Sequence, residues 1–134
     1  KDTVKAIKDF SKVIAGGGPW SAMAYLNRGV VLLEYKQYDK AMNDFNKAIE
    51  FGPRNAQAYL GRGIALAFTN QFARSIEDLN RAIELNPKLA TAYNARGMVY
   101  AQIGNPRAAV DFQKACEMGF EQGCSNWQRL LRNY

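Results

Sequence analysis

Ala56-Gln57-Ala58-Tyr59-Leu60-Gly61-Arg62-Gly63 decides the reading of this chain, because it occurs three times. Ala22-Met23-Ala24-Tyr25-Leu26-Asn27-Arg28-Gly29 precedes it and Ala90-Thr91-Ala92-Tyr93-Asn94-Ala95-Arg96-Gly97 follows, each displaced by 34 residues. Pro19, Pro53 and Pro87 keep the same 34-residue interval. A fixed period of this size is the signature of a stacked repeat architecture. The rest of the unit repeats too. Ala41-x-x-Asp44-Phe45-x-x-Ala48-Ile49 aligns with Ser75-x-x-Asp78-Leu79-x-x-Ala82-Ile83 and with Ala108-x-x-Asp111-Phe112-x-x-Ala115-Cys116. Upstream, Ala6-x-x-Asp9-Phe10-x-x-Val13-Ile14 matches the same half unit, so the chain holds about three and a half repeats.

Within each unit the apolar residues recur at helical spacing and nothing alternates with period two, so each half reads as an amphipathic helix. Each unit is then a helical hairpin. Small residues fall where two helices must approach closely: Gly29, Gly63 and Gly97 on the first helix, Ala41, Ser75 and Ala108 on the second. An aromatic, a Gly four residues on, then Ala-x3-Phe-x2-Ala and a terminal Pro resembles the tetratricopeptide repeat. The resemblance covers residues 22–88 without a gap and 89–117 with one residue missing in the turn at Gly104-Asn105-Pro106. Two positions depart from the family pattern. The first aromatic is Tyr instead of Trp, and Arg28, Arg62 and Arg96 replace the Leu before the Gly.

The resemblance implies an all-α, right-handed superhelical array of antiparallel hairpins, about eight helices in one domain over 1–134. Its parts are the second helix of a partial repeat (2–19), repeats at 22–55, 56–89 and 90–120, and a capping helix (121–134). Ala6, Phe10 and Val13 have no first helix to pack on, so an upstream helix is lost or lies elsewhere. That face is either the edge of a trimmed array or a docking face for a partner helix or a second copy. Trp20, after the linker Ala15-Gly16-Gly17-Gly18-Pro19, is expected to cap the first hairpin.

Composition narrows the function. The 134 residues contain 48% hydrophobic and 22% charged side chains, an ordinary globular balance, and no histidine. Without His the commonest general base and metal ligand are missing, so catalytic, cofactor and metal sites are not expected. The longest uncharged run, 13–27, is interrupted by Gly16-Gly17-Gly18-Pro19 and falls short of the roughly 20 apolar residues that span a bilayer. No membrane insertion is expected. The net charge of +6 is spread along the chain with no basic tail.

Cations do recur in register on the second helices. Lys5, Lys40, Arg74 and Arg107 form one row and Lys12, Lys47, Arg81 and Lys114 another, with Asp9, Asp44, Asp78 and Asp111 between them. Helical neighbours at this spacing attract by about 0.2–0.5 kcal/mol per pair. Half-neutralised rows without an aromatic ladder disfavour a nucleic-acid surface, which is kept as an alternative. Arg28, Arg62 and Arg96 lie beside the close-packing glycines and are expected to pair with the repeated Asp of their own or the preceding hairpin. A ligand-binding arginine ladder is the competing reading.

In arrays of this family the first helices line a concave groove that holds a peptide or helix. Here the strip consists of Met23, Leu26, Asn27, Val30 and Leu33, then Gln57, Leu60, Ile64 and Phe68, then Thr91, Asn94, Met98 and Gln102. Apolar residues with amides suit a hydrophobic partner segment, Asn27 and Asn94 being able to bond a peptide backbone, although part of the strip can equally be inter-repeat core. The family's clamp for an acidic peptide terminus needs Asn on one repeat and basic residues at two groove positions of the next. Asn27 fits, but Gln57 and Gly61, and then Thr91 and Ala95, do not. The expectation is a non-catalytic interaction scaffold, self-assembly through the N-terminal helix being a further alternative. Cys116 and Cys124 resemble the Cys-x7-Cys junction of disulfide-linked Sel1-like repeats. That implies a bridge worth about 2–3 kcal/mol in an oxidising, extracytoplasmic compartment; two reduced cysteines at a helix junction in the cytoplasm are the other reading.

Overall fold

The computed structural model describes residues 2–133, which form eight helices: α1 (Asp2–Gly16), α2 (Ser21–Glu34), α3 (Tyr38–Phe51), α4 (Ala56–Phe68), α5 (Phe72–Leu85), α6 (Ala90–Gln102), α7 (Arg107–Glu117) and α8 (Glu121–Arg132). Each helix packs on its neighbours in sequence, and the first helices α2, α4 and α6 also touch one another, which makes a one-dimensional stack. This is the helical-repeat solenoid expected from the period.

The turns inside the hairpins are built alike. After α2, α4 and α6 one residue takes a left-handed conformation, Lys36, Asn70 and Gly104, with φ of 61°, 61° and 71°. In each turn the following amide reaches back to close a Schellman cap: Gln37 N to Leu32 O, Gln71 N to Leu66 O and Asn105 N to Tyr100 O. Between hairpins the chain instead leaves α3 and α5 in extended backbone at Gly52 and Asn86, and Pro53 and Pro87 forbid helical continuation. The residue missing from the third repeat is absorbed by α7, whose 11 residues compare with 14 in α3 and α5.

The core lies between the helices of each hairpin and between adjacent hairpins. Phe45 is fully buried, seated on Gly29 of its own hairpin and on Gly61 of the next. A Cβ on Gly29 would come within 2.8 Å of the Phe45 ring, and one on Gly97 within 2.8 Å of Phe112. Leu79 takes the same seat on Gly63. Two expectations need correction. α1 ends at Gly16, so residues 17–19 are linker and not helix. Trp20 stands 73% exposed and, although it is the N-cap residue of α2, makes no side-chain capping bond, because its indole N–H donates where a helix N-terminus needs an acceptor.

Candidate functional site

The repeated arginines build the most regular feature of the molecule. Arg28 Nε and Nη2 donate to Asp44 at 2.7 Å each, Arg62 to Asp78 at 2.7 and 2.8 Å, and Arg96 to Asp111 at 2.8 Å each. Every pair lies within its own hairpin. The remaining nitrogen of each fork reaches the preceding second helix: Arg28 Nη1 to Ser11 Oγ at 3.0 Å, Arg62 Nη1 to Asn46 Oδ1 at 3.0 Å, Arg96 Nη1 to Asn80 Oδ1 at 2.8 Å. Each guanidinium also lies over the Tyr three residues earlier, 5.5–5.6 Å from the ring centroid. One side chain thus ties three helices together. Hydrogen bonding to the carboxylate raises each guanidinium pKa above its ordinary value, against the opposing pull of burial. With every fork occupied, the ladder holds no arginine ready for a ligand.

The aspartates are correspondingly absent from the outer surface. Asp44, Asp78 and Asp111 are buried on their arginines, so they do not neutralise the cation rows as the helical spacing suggests. A bidentate guanidinium at 2.7–2.8 Å outcompetes flexible neighbours one turn away. On the rows themselves, Lys47 pairs with Glu50 and Arg81 with Glu84, both at 3.2 Å.

The groove strip divides on inspection. Met23, Val30, Gln57 and Met98 are exposed, and Asn27, Ile64 and Thr91 are half-buried. Leu26 and Leu60 are core residues, packed where adjacent repeats meet. Asn94 is also buried: Asn126 Nδ2 on α8 donates to its Oδ1 at 2.9 Å, and its own Nδ2 contacts Met98 Sδ at 3.6 Å. It ties α6 to the terminal helix and lies buried instead of lining an open surface. Gly61, one of the clamp positions, is occupied by the Phe45 ring.

What remains open is a cleft of about 260 Å³ between α4 and α6, walled by Ile64, Phe68, Phe72, Met98 and Gln102. Phe68 is 58% and Met98 51% exposed, and the Phe68 ring stacks on Tyr38 at 5.0 Å. At the far end Cys116 and Cys124 form a disulfide joining α7 to α8 across a Cα–Cα distance of 4.5 Å. Ala6 and Phe10 on α1 are half-buried and Val13 is exposed. Among the described residues no His, Cys, Asp and Glu cluster could hold a metal ion, and no helix is long and apolar enough to cross a membrane.

Stacked hairpins with a cleft between first helices define a helical-repeat interaction scaffold. A tetratricopeptide repeat family model matches residues 22–55 and a second, described as TPR repeat, matches 69–104, together about half of the chain. The chain belongs to the tetratricopeptide repeat family, whose members are generally non-catalytic interaction modules. A comparison with curated protein sequences finds no match. Among solved structures, the TPR domain of Arabidopsis OM64 superposes with a TM-score of 0.80 at 24% identity, over 88% of this chain and all of that one. The first TPR of Spaghetti (RPAP3), bound to the HSP90 peptide SRMEEVD, gives 0.78 at 20% identity, covering 87% and 94%. MamA residues 41-end from Desulfovibrio magneticus RS-1 gives 0.77 at 29% identity, over 90% of this chain and 68% of that one.

Proposed function

We propose that the chain holds an apolar segment of a partner protein in the cleft between α4 and α6. The observation that carries this is the exposure of Phe68 and Met98 on either side of the cleft, flanked by Gln102. A volume of about 260 Å³ admits one or two aliphatic side chains, against roughly 300–1,000 Å³ for sites that enclose small molecules. An extended or helical peptide places side chains at that scale and leaves the rest of itself on the surface.

The comparison with the peptide-bound Spaghetti domain supports a peptide in the groove, but of other chemistry. The peptide printed for that domain, SRMEEVD, is acidic towards its end. This chain has Gln57, Gly61, Thr91 and Ala95 where the clamp needs cations, and its three first-helix arginines are taken. A buried carboxylate would find no counter-charge there. The reading is therefore an uncharged, apolar partner segment. The joined Cys116 and Cys124 support work in an oxidising compartment, which thiol titration of protein from its source would check.

The test is a pull-down from source extract with the wild-type chain, a Met98→Arg variant and a Lys40→Glu/Arg74→Glu variant, each with and without nuclease. Met98 is the right probe because it is exposed; Leu60→Arg would break the core. A nuclease-resistant protein partner lost only with Met98→Arg supports the cleft. Binding lost to nuclease or to the charge variant, and kept by Met98→Arg, moves the function to the basic second-helix rows.

A further inference from the structure

Asn94 breaks the repeat at one buried position. Leu26 and Leu60 stand there in the other two first helices, both packed where repeats meet. A buried amide in that place is costly unless it finds hydrogen-bond partners. Its partner is Asn126, also buried, on α8, a helix outside the repeat pattern. The bonds run in one direction. Arg129 Nη2 and Gln122 Nε2 donate to Asn126 Oδ1 at 3.2 and 3.4 Å, Asn126 Nδ2 donates to Asn94 Oδ1 at 2.9 Å, and Asn94 Nδ2 donates to Met98 Sδ at 3.6 Å. With its oxygen taken by Arg129 and Gln122, Asn126 offers Asn94 only its N–H. Asn94 must then turn its oxygen towards α8 and its own N–H towards the sulfur. The order is set from the far end, so α8 determines which side of the Asn94 amide Met98 meets.

Met98 is an exposed wall of the cleft between α4 and α6. A free methionine side chain has three rotatable bonds and adapts to almost any apolar neighbour, which makes methionine-lined surfaces promiscuous. Held at its sulfur, Met98 keeps only its last torsion free. We propose that Asn94 and Asn126 are positioning residues that fix the Met98 wall and thereby determine which apolar side chain the cleft takes. The inference rests on the reading of that cleft as the binding site. A fixed wall discriminates between side chains of different shape, whereas a wall free to swing remoulds itself to each. The selectivity of a groove built from repeats then comes from a helix that lies outside them.

The test uses the full chain labelled with methyl-13C methionine, and Met98→Leu identifies the Met98 signal among the four methionines. Asn126→Asp keeps the side-chain shape and the bonds from Gln122 and Arg129, but gives Asn94 an acceptor. The Asn94 amide must then turn over and present its oxygen to the sulfur. Asn94→Leu puts back the residue of the other repeats and removes the tether altogether. Both variants are expected to move the Met98 methyl signal towards that of a freely rotating methionine. Met23 on α2 should keep its own signal, which a loss of fold would not allow. Two probes, N-acetyl-leucinamide and N-acetyl-phenylalaninamide, are then titrated against the Met98 signal. The wild-type chain should prefer one of them by about threefold or more, and both variants should bring the two affinities together. A Met98 signal already averaged in the wild type, or unmoved by Asn126→Asp, overturns the proposal, as does a preference that survives both variants. If neither probe binds up to about 50 mM, the cleft reading itself falls and the proposal with it; binding without any effect of the two variants overturns the proposal alone.

Discussion

At the scale of single residues, the arginine forks dominate the energetics. Arg62 keeps 24% of its side chain in solvent and Asp78 only 10%, so removing the cation strands a nearly buried carboxylate. Arg62→Met should cost about 2–4 kcal/mol in chemical unfolding, while Arg62→Met with Asp78→Leu should recover most of that loss. A double variant no better than the single one would mean that the Asn46 contact, and not the ion pair, carries the stability. The raised guanidinium pKa fixes the sign of the pH effect. Such a group contributes fully below its unfolded value and is lost only as pH climbs past it into strong alkali. With no histidine to titrate, the unfolding midpoint should stay level from about pH 6 to 9; a slope there would point to groups outside the clasps. The Arg–Asp pairing is legible from sequence because both residue types recur in register. The third arm is not, since its acceptors are Ser11, Asn46 and Asn80 on another hairpin, and no single residue type marks the position.

At the scale of the element, the close approach of helices is set by missing side chains. Gly97→Ala places a methyl 2.8 Å from the Phe112 ring and 3.2 Å from Asp111 Cβ, and should destabilise by about 1–3 kcal/mol. Gly16→Ala at the end of α1 meets nothing within 4 Å and should be neutral or mildly stabilising. Equal midpoints for the two variants would show that the helices slide apart without penalty. The α7–α8 junction is held differently. Reducing Cys116–Cys124, or making Cys116→Ser, should cost about 2–3 kcal/mol by restoring freedom to the unfolded chain, and a midpoint unaffected by reductant would count against the bridge. Gly29, Gly63 and Gly97 are visible as seats because they recur. Gly61, the second seat of Phe45, is not, because Asn27 and Ala95 stand there in the other repeats.

At the scale of the whole molecule, the array and its hairpins follow directly from the 34-residue period, whereas the groove is only partly readable. Helical spacing places Leu26, Leu60 and Asn94 on the face that first helices present, but says nothing about neighbours that cover it. Leu26 and Leu60 are covered by adjacent repeats, and Asn94 by α8, a helix outside the repeat pattern. Met23, Val30, Gln57, Phe68 and Met98 stay exposed on that face, and the cleft proposed as the binding site lies beside the last two. The two ends of the array also differ. α8 is tied to α7 by a disulfide, while α1 leaves Val13 and Asp9 exposed.

That difference has a mechanical side. Each fork is a rivet between successive second helices, and three rivets hold a row of four. Pulled by its two ends, the molecule should give way first at the Ser11 rivet and then one hairpin at a time. Each 34-residue unit would release on the order of 120 Å of contour length as a separate step. Force spectroscopy would show a sawtooth whose first tooth is the weakest and disappears with Ser11→Ala; a single rip of the whole chain would mean that the rivets pass load so evenly that the stack fails as one body.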